Sequence, residues 1–403
     1  MSDFFLYDDD AARAFEPFAL TRPMSELRAG AELVRKRWER AFGLAVSGFI
    51  GAPHLASFEE AGAPPAVCSD SDVVPGTIVA NSRFVAALKA GKIDAKTKVW
   101  KNDGKVVAVR INSSHHASRF GEGQLSLEEL AQERAKSAEV PGRWIENVWD
   151  LIGTLVEQLQ EDIPALGIEL DVAVPRDCIV IGEHPLFCEA GAKIEPQVLF
   201  DVTAGPILVR ASAEISAFTR ITGPCFIGEK CVIVGDRIAS SSLGEASKIR
   251  GEVSNSIVLG HSNKGHSGFL GHSYLGRWVN LGAGTTTSNL KNTYGMVQLQ
   301  TAGGLRDTGE QFLGTFLGDY SKTGIGTMLT TGTVIGAGAN VFGSGLAPKS
   351  VPPFAWGERE RYEIEKFLEV AARMMARRHV ELGKRTREML RAAYGKGNWE
   401  RNS

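Results

Sequence analysis

Cysteine is sparse in this sequence and follows no pattern. Its five cysteines, Cys68, Cys178, Cys188, Cys225 and Cys231, are an odd number spread over 403 residues with no Cys-x-x-Cys pair. That argues against a disulfide framework or a structural zinc site, and predicts buried thiols acting as small apolar side chains. Long apolar runs are missing too: none approaches the roughly 20 residues that span a bilayer, so no membrane role is expected. Charge of one sign is absent, since 45 Lys+Arg against 47 Asp+Glu leave a formal net charge of −2. A nucleic-acid binder would show a basic surplus or stripe. The opening MSDFFLYDDD carries acids where a secretory leader would carry basic and then apolar residues, so a cytoplasmic location is expected. With 43% hydrophobic and 23% charged residues the chain is not disordered. At roughly 150 residues per domain, two or three domains are expected.

Composition shifts near residue 175. Before it, helix and strand patterns mix. Arg28 to Phe42 places Leu33, Val34, Trp38 and Phe42 on one helical face, Thr77 to Ala80 and Val106 to Ile111 read as strands, and Arg143 to Asp162 reads as helix-rich. From about Cys178 to Val351 helical periodicity is almost absent. An aliphatic residue followed by glycine keeps returning instead, as at Ile227-Gly228, Leu259-Gly260, Leu281-Gly282, Leu317-Gly318, Ile325-Gly326 and Ile335-Gly336, often at multiples of about six. Such a period predicts a parallel β-helix, in which each short strand turns one aliphatic side chain into a stacked core. Thr285 to Gln311 breaks the period and reads as a loop near an active site. Beyond Val351-Pro352-Pro353, Gly357 to Tyr394 reads as one long helical region with Ile364, Phe367, Leu368, Ala371, Met374 and Met375 on one face. Its basic residues are interspersed with glutamates, as on a solvated helix.

The stretch HSGFLGHSYLGRWVNLGAGTTTSNLKN, His266 to Asn292, resembles the left-handed β-helix acetyltransferase domain of the bacterial bifunctional enzymes that make UDP-N-acetylglucosamine. That family reads H-x-x-Y-x-G-x-x-x-x-G-x-x-V-N-x-G-A-G-T-x-x-x-N. The resemblance implies a left-handed, homotrimeric β-helix with His266 as general base, Asn280 contacting the sugar and Asn289 on the acetyl-CoA side. Histidine suits the role, because an amine attacking a thioester must lose a proton and the imidazole titrates near neutral pH. His272, flanked by Gly271 and Ser273 and one corner along, is the rival base; the bland alternative is that His261, His266 and His272 are surface residues of a solenoid. Two positions depart from the pattern: Phe269 stands in place of the family tyrosine, and Ser254 falls near a lysine that holds the sugar phosphate. Lys248, Arg250 or Lys264 are candidates to supply that charge.

Leu20 to Gly30, LTRPMSELRAG, resembles the sugar nucleotidyltransferase signature through Thr21-Arg22 and Arg28. A shortened bacterial branch of that family also shares the acidic opening strand and a Trp149-Asp150-Leu151 motif. This resemblance implies that Arg22 and Arg28 hold nucleotide phosphates, for which a planar guanidinium is suited. The alternative is that both are ordinary salt-bridged residues. The phosphate-approaching glycines are missing before Thr21. Nucleotidyl transfer calls for Mg²⁺ on one or two carboxylates; Asp8, Asp9, Asp10, Asp70, Asp72 and Asp150 are candidates that no spacing separates, so the metal ligands stay open.

Three segments are therefore expected: an α/β nucleotidyltransferase-like domain over 1–175, a left-handed parallel β-helix over 178–350 and a C-terminal helical segment over 351–403. The expected activity joins nucleotidyl transfer from a nucleoside triphosphate, UTP by resemblance, onto a hexosamine 1-phosphate with acetyl transfer from acetyl-CoA to its amine. Two alternatives stand beside it: a nucleotidyltransferase whose β-helix is a trimerising scaffold or ligand module, and an acyltransferase whose N-terminal domain is degenerate.

Overall fold

A computed structural model describes residues 3–88, 96–131, 135–173, 175–343, 345–358 and 360–397. Contacts divide the chain into two units, Met1–Val148 with Glu381–Lys396, and Trp149–Val380 with Gly397–Ser403.

The first unit is built on a six-stranded sheet. Strand Phe4–Tyr7 lies between Gly48–Ile50 and Ile78–Asn81, parallel to both, and Lys105–Arg110, Val99–Asn102 and Ser137–Glu139 extend the sheet beyond Ile78–Asn81. The two strands expected here are present, each displaced by one residue. The helix expected from Arg28 begins only at Val34. Gly30 at φ +61° turns the chain back into a short hairpin, Arg28–Ala29 with Glu32–Leu33, before helix Val34–Phe42. That helix buries Trp38, whose ring meets Phe4, Phe42 and Phe84.

The second unit opens with helices Asp150–Gly153 and Leu155–Gly167. The boundary by contacts therefore falls at Val148 rather than near 175, because the apolar face of the second helix, including Leu159 and Ile163, packs on solenoid strands Ile207–Val209 and Cys225–Ile227. Arg143 itself lies in strand Gly142–Trp144. Three parallel sheets follow. The first face runs from Ile179–Ile181 through Leu270–Gly271, the second from Leu186–Cys188 to Ser350–Val351, and the third from Lys193–Ile194 to Ala355–Trp356. Inward residues such as Ile233, Ile249 and Leu281 on the third face and Ile227, Leu243, Val258 and Leu275 on the second form one continuous apolar core. The six-residue period is loose: one coil advances 15 residues from Ser242 to Ile257, another 21 from Leu186 to Ile207. Glycine closes strands where successive coils touch. A methyl group on Gly244 would lie 2.0 Å from the Leu259 carbonyl oxygen, which no side chain permits. Not every aliphatic-glycine pair points inward, for Ile325 is 85% exposed.

Thr286–Thr287 stays in the solenoid, paired with Met328–Leu329. The true excursion runs from Leu290 to Phe312, which bridge at its base, and carries an antiparallel hairpin, Gln298–Thr301 with Gly304–Asp307, packed on second-face strand Thr333–Ile335. The C-terminal region is two helices rather than one, Ile364–Ala376 and Lys384–Lys396. His379 at φ +58° breaks the run between them. The first packs Phe367 on Tyr320 and Phe354 of the solenoid, and the second belongs to the first unit, where it buries Met389, Leu390 and Ala393.

Candidate active sites

In the first unit Asp8, Asp9 and Asn81 lie at the carboxyl ends of the parallel strands, the edge at which open α/β sheets bind ligands. Asp8, directly after Phe4–Tyr7, is buried; it accepts from Ser82 Oγ at 2.5 Å and from the Met24 main-chain N–H at 3.1 Å. It thereby ties the Thr21–Gly30 loop to the end of strand Ile78–Asn81. Burial pushes its carboxyl up to about 6, against the pull of those two bonds. Asp9 accepts from Arg83 Nη2 at 2.7 Å and from Asn81 at 2.8 Å, and caps helix Asp10–Arg13 through Ala12 N–H. Burial would raise its carboxyl, but the Arg83 and Asn81 bonds outweigh it and hold the group below its usual value.

Every residue from Thr21 to Gly30 is buried. Arg22 pairs with Glu60 at 3.1 Å and donates to the Glu26 carbonyl. Arg28 donates to the Ala31 carbonyl at 2.5 Å. Glu26 is held by Arg35 Nε at 2.5 Å and Nη2 at 3.3 Å, and Arg37 donates to the Ala29 and Ala86 carbonyls. The two arginines thus already have protein partners. Asp10, Asp70 and Asp72 are exposed and Asp150 starts a helix of the second unit. Among the described residues no group of three or more His, Cys, Asp or Glu side chains gathers as a metal site would need. With Asp8 and Asp9 engaged as above, no Mg²⁺ cage is preformed there.

In the second unit the three histidines occupy three different corners. His261, at φ +55° between the second and third faces, belongs to a closed network: Arg277 Nη1 lies 2.9 Å from its Nδ1, Arg277 Nη2 donates to Glu245 at 2.5 Å, and Asp319 accepts from the Arg277 N–H at 2.8 Å. His266 stands exposed on the next corner, between the third and first faces. His272, at φ +47°, follows strand Leu270–Gly271 and precedes the second face. It is fixed by a buried hydroxyl ladder beginning at its neighbour Ser273, whose N–H donates to Ser256 Oγ at 3.1 Å while its Oγ accepts from Thr315 N–H at 2.9 Å.

Asn289 pairs with His272, not with His266. Its Nδ2 donates to His272 Nδ1 at 2.8 Å, and Phe312 stacks on the same ring at 5.5 Å. Burial lowers the His272 imidazole to about 4, so at neutral pH it is uncharged, and accepting at Nδ1 it carries its proton on Nε2. A donor, not a base, is what it offers there. Phe269 lies over Gly271, where a methyl group would be 2.3 Å from the Phe269 Cζ and 2.9 Å from Asn289 Nδ2. Asn280 faces outward on the third face and accepts from Asn263 Nδ2 at 2.9 Å. Register places Lys248, Asn263, Asn280 and Lys322 in one outward column. The sequence reading missed Lys322, whose ammonium donates to the Tyr320 carbonyl and is drawn down by burial to about 8. Its bracketing pairs Leu317-Gly318 and Ile325-Gly326 were the available signal. Of the three cations considered for the sugar phosphate, Lys248 and Arg250 are exposed, whereas Lys264 points into the core.

Residues 4–168 match the profile of the family described as sugar nucleotidyl transferase. A bifunctional sugar-1-phosphate nucleotidylyltransferase/acetyltransferase from Sulfurisphaera tokodaii is 31% identical over 100 residues, 25% of this chain and 25% of its own. The bifunctional protein GlmU of Synechococcus elongatus is 28% identical over 202 residues, 48% of this chain and 36% of its own. The matches thus span about a quarter to a third of these relatives' length. Among solved structures, a UDP-N-acetylglucosamine acyltransferase from Campylobacter jejuni matches over 54% of this chain and 95% of its own at 11% identity and a TM-score of 0.20, too slight to bear on the reading. Among the described residues no helix is long and apolar enough to cross a membrane. Residues 4–168 are therefore a sugar nucleotidyl transferase-type region, and the chain, with the parallel β-solenoid that follows, is similar to the GlmU-like bifunctional enzymes.

Proposed function

We propose that the protein acts on a hexosamine 1-phosphate, acetylating its amine from acetyl-CoA and coupling its phosphate to a nucleotide from Mg²⁺-bound UTP. The observation that carries this reading is the His266 to Asn289 pattern falling on consecutive coils of one parallel solenoid, in a chain whose residues 4–168 match the sugar nucleotidyl transferase profile. In the acetyl transfer the amine nitrogen bonds to the thioester carbonyl carbon, its proton passes to His266, and the C–S bond breaks to release CoA, which leaves with a proton as the thiol. Asn280 and the adjoining outward column would hold the sugar, with Lys248 or Lys322 facing its phosphate. Asn289 would stand on the acetyl-CoA side, and main-chain N–H groups along the glycine-rich coils are suited to the tetrahedral oxyanion. In the nucleotidyl transfer a sugar phosphate oxygen attacks the α-phosphorus and pyrophosphate leaves, with Arg22 and Arg28 as the candidate phosphate ligands once the loop that buries them opens.

A left-handed homotrimer in the cytoplasm completes the proposal. What supports association is the uncovered first face, where Arg220, Arg237, Glu252 and Thr286 are exposed. At its far end Ile325, Met328, Phe342 and Leu346 stand exposed as well. A second reading, an acyltransferase with an inactive first unit, is favoured by the buried and partnered state of Arg22 and Arg28. Incubation with glucosamine 1-phosphate, acetyl-CoA, UTP and Mg²⁺, following free CoA and pyrophosphate separately, tests both. Both products support the bifunctional reading; CoA alone supports the second; pyrophosphate alone removes the acetyl transfer and leaves the solenoid as a scaffold.

A further inference from the structure

Lys264 occupies a position that its neighbours fill with aliphatic side chains. Register pairs it with the inward Ile249 of the preceding coil, and the corresponding residue of the next coil is the inward Leu281. Lys264 is 2% exposed, and its ammonium donates to two main-chain carbonyls at the solenoid corner, Arg250 O at 3.0 Å and His266 O at 2.7 Å. Removing an ammonium from water is expensive, and an apolar side chain of similar shape usually serves a core as well or better. Burial lowers its pKa to about 8, with Asp236 pulling the other way. A cation kept where Ile249 and Leu281 fill the adjacent coils calls for a reason.

The reason lies in what else holds His266. Its ring is exposed, and among the described residues no group bonds to it. A general base is ordinarily oriented by a third group hydrogen-bonded to the ring. Here, by contrast, His272 has Asn289 on its Nδ1 and His261 has Arg277. The main chain from Gly265 to Gly268 is likewise without ladder bonds; the next main-chain anchor is the Phe269 carbonyl, which accepts from Thr287 N–H at 2.9 Å. The Lys264 ammonium is thus the hydrogen bond that fixes this turn, and it reaches the turn from inside the core.

We infer that Lys264 is a positioning residue, holding the His266 turn from within the solenoid so that the imidazole presents to the substrate amine. The inference rests on the reading of His266 as the base. The test uses the full chain as wild type, Lys264→Met, Lys264→Gln and His266→Ala, with CoA release, pyrophosphate release and amide hydrogen exchange over the peptide containing 265–268. Lys264→Met should lower kcat for CoA release at least tenfold, with KM for glucosamine 1-phosphate and acetyl-CoA within twofold and pyrophosphate release unchanged. Exchange should rise in the turn but not in strands Ile257–Gly260 or Tyr274–Arg277, and Lys264→Gln, which keeps an uncharged donor, should fall between. If His266→Ala abolishes CoA release while Lys264→Met leaves kcat and turn exchange within twofold of wild type, the positioning role is overturned and the base reading stands. If both Lys264 variants unfold the solenoid, the lysine is structural and the inference is overturned. CoA release that survives His266→Ala overturns the base reading and the inference with it.

Discussion

The first unit buries Arg22, Glu26, Arg28, Arg35 and Arg37 around a single loop, whereas the solenoid sets most of its charges in outward columns and admits few inside, notably Lys264, Arg277 and Asp319. The contrast follows from how each unit makes a core. In the solenoid every inward position meets the equivalent position of the coils before and after it, so an inward charge interrupts an apolar stack. Lys264 is received there by main-chain carbonyls, Arg277 by the Glu245 carboxylate and Asp319 by the Arg277 main-chain N–H. In the first unit the loop has no repeating partner, and paired charges fix its path instead. Buried pairs of that kind add little net stability but are destabilising when one member is removed. A stable core and a fixed loop are thus obtained by different physics in one chain.

The comparison can be broken at its weakest joint first. Ending the chain after Val380 removes helix Lys384–Lys396, with its buried Met389 and Leu390. The first unit should lose about 3–6 kcal/mol, from roughly 1.5–3 kcal/mol per fully buried side chain, while the solenoid keeps its unfolding transition. Calorimetry of the two chains separates the cases, and equal losses in both transitions would undo the assignment of that helix. Glu26→Ala leaves the Arg35 guanidinium buried without its bidentate partner and should lower first-unit stability by about 3–5 kcal/mol in urea unfolding. Leu281→Ala makes the matching cut in the solenoid core, with an expected loss of about 2–5 kcal/mol.

A smaller and sharper effect concerns Asp8. Its folded carboxyl titrates at about 6 instead of 3.8, so folding favours the protonated acid. That contribution is fully present below 3.8 and is lost as pH rises through about 6. Asp8→Asn, which retains an oxygen for Met24 N–H, should therefore be the more stable protein near neutral pH, by up to about 3 kcal/mol, with the difference closing in acid. Unfolding midpoints measured across that range check it; a gap that widens in acid would contradict the sign. Smallest of all, Gly271→Ala must displace the Phe269 ring and should cost about 1–3 kcal/mol while disturbing the His272–Asn289 bond.

The solenoid was the more legible unit, because Leu243, Leu281, Leu317 and Ile335 repeat one environment and the following glycines mark where coils touch. What the repeat could not convey is where each corner sits. His266, His272 and His261 look alike in sequence, yet one is exposed, one is stacked and neutral, and one is locked to Arg277. Lys264 stood beside Lys248 and Arg250 as a candidate for the sugar phosphate, because a one-residue choice of inward or outward is set by the register of the whole coil. Lys322 was hidden by the Leu290–Phe312 excursion, which separates it from its register neighbour Asn280. In the first unit Gly30, through its left-handed backbone, turns the chain into a hairpin and delays the helix expected from Arg28 until Val34. The ion-pair partner of Arg22, Glu60, lies 38 residues away where no local spacing connects them, and Arg28 is held by the Ala31 main-chain carbonyl, which no side-chain pattern reveals.

We propose that the two units carry separable chemistry, with acetyl transfer at His266. The most direct measurement is the partition between CoA and pyrophosphate released from glucosamine 1-phosphate, acetyl-CoA, UTP and Mg²⁺ by wild type and by His266→Ala. A general base contributes about 10²–10⁴-fold. CoA release should fall by that factor in the variant while pyrophosphate release stays at the wild-type rate; equal CoA release from both proteins would contradict the account.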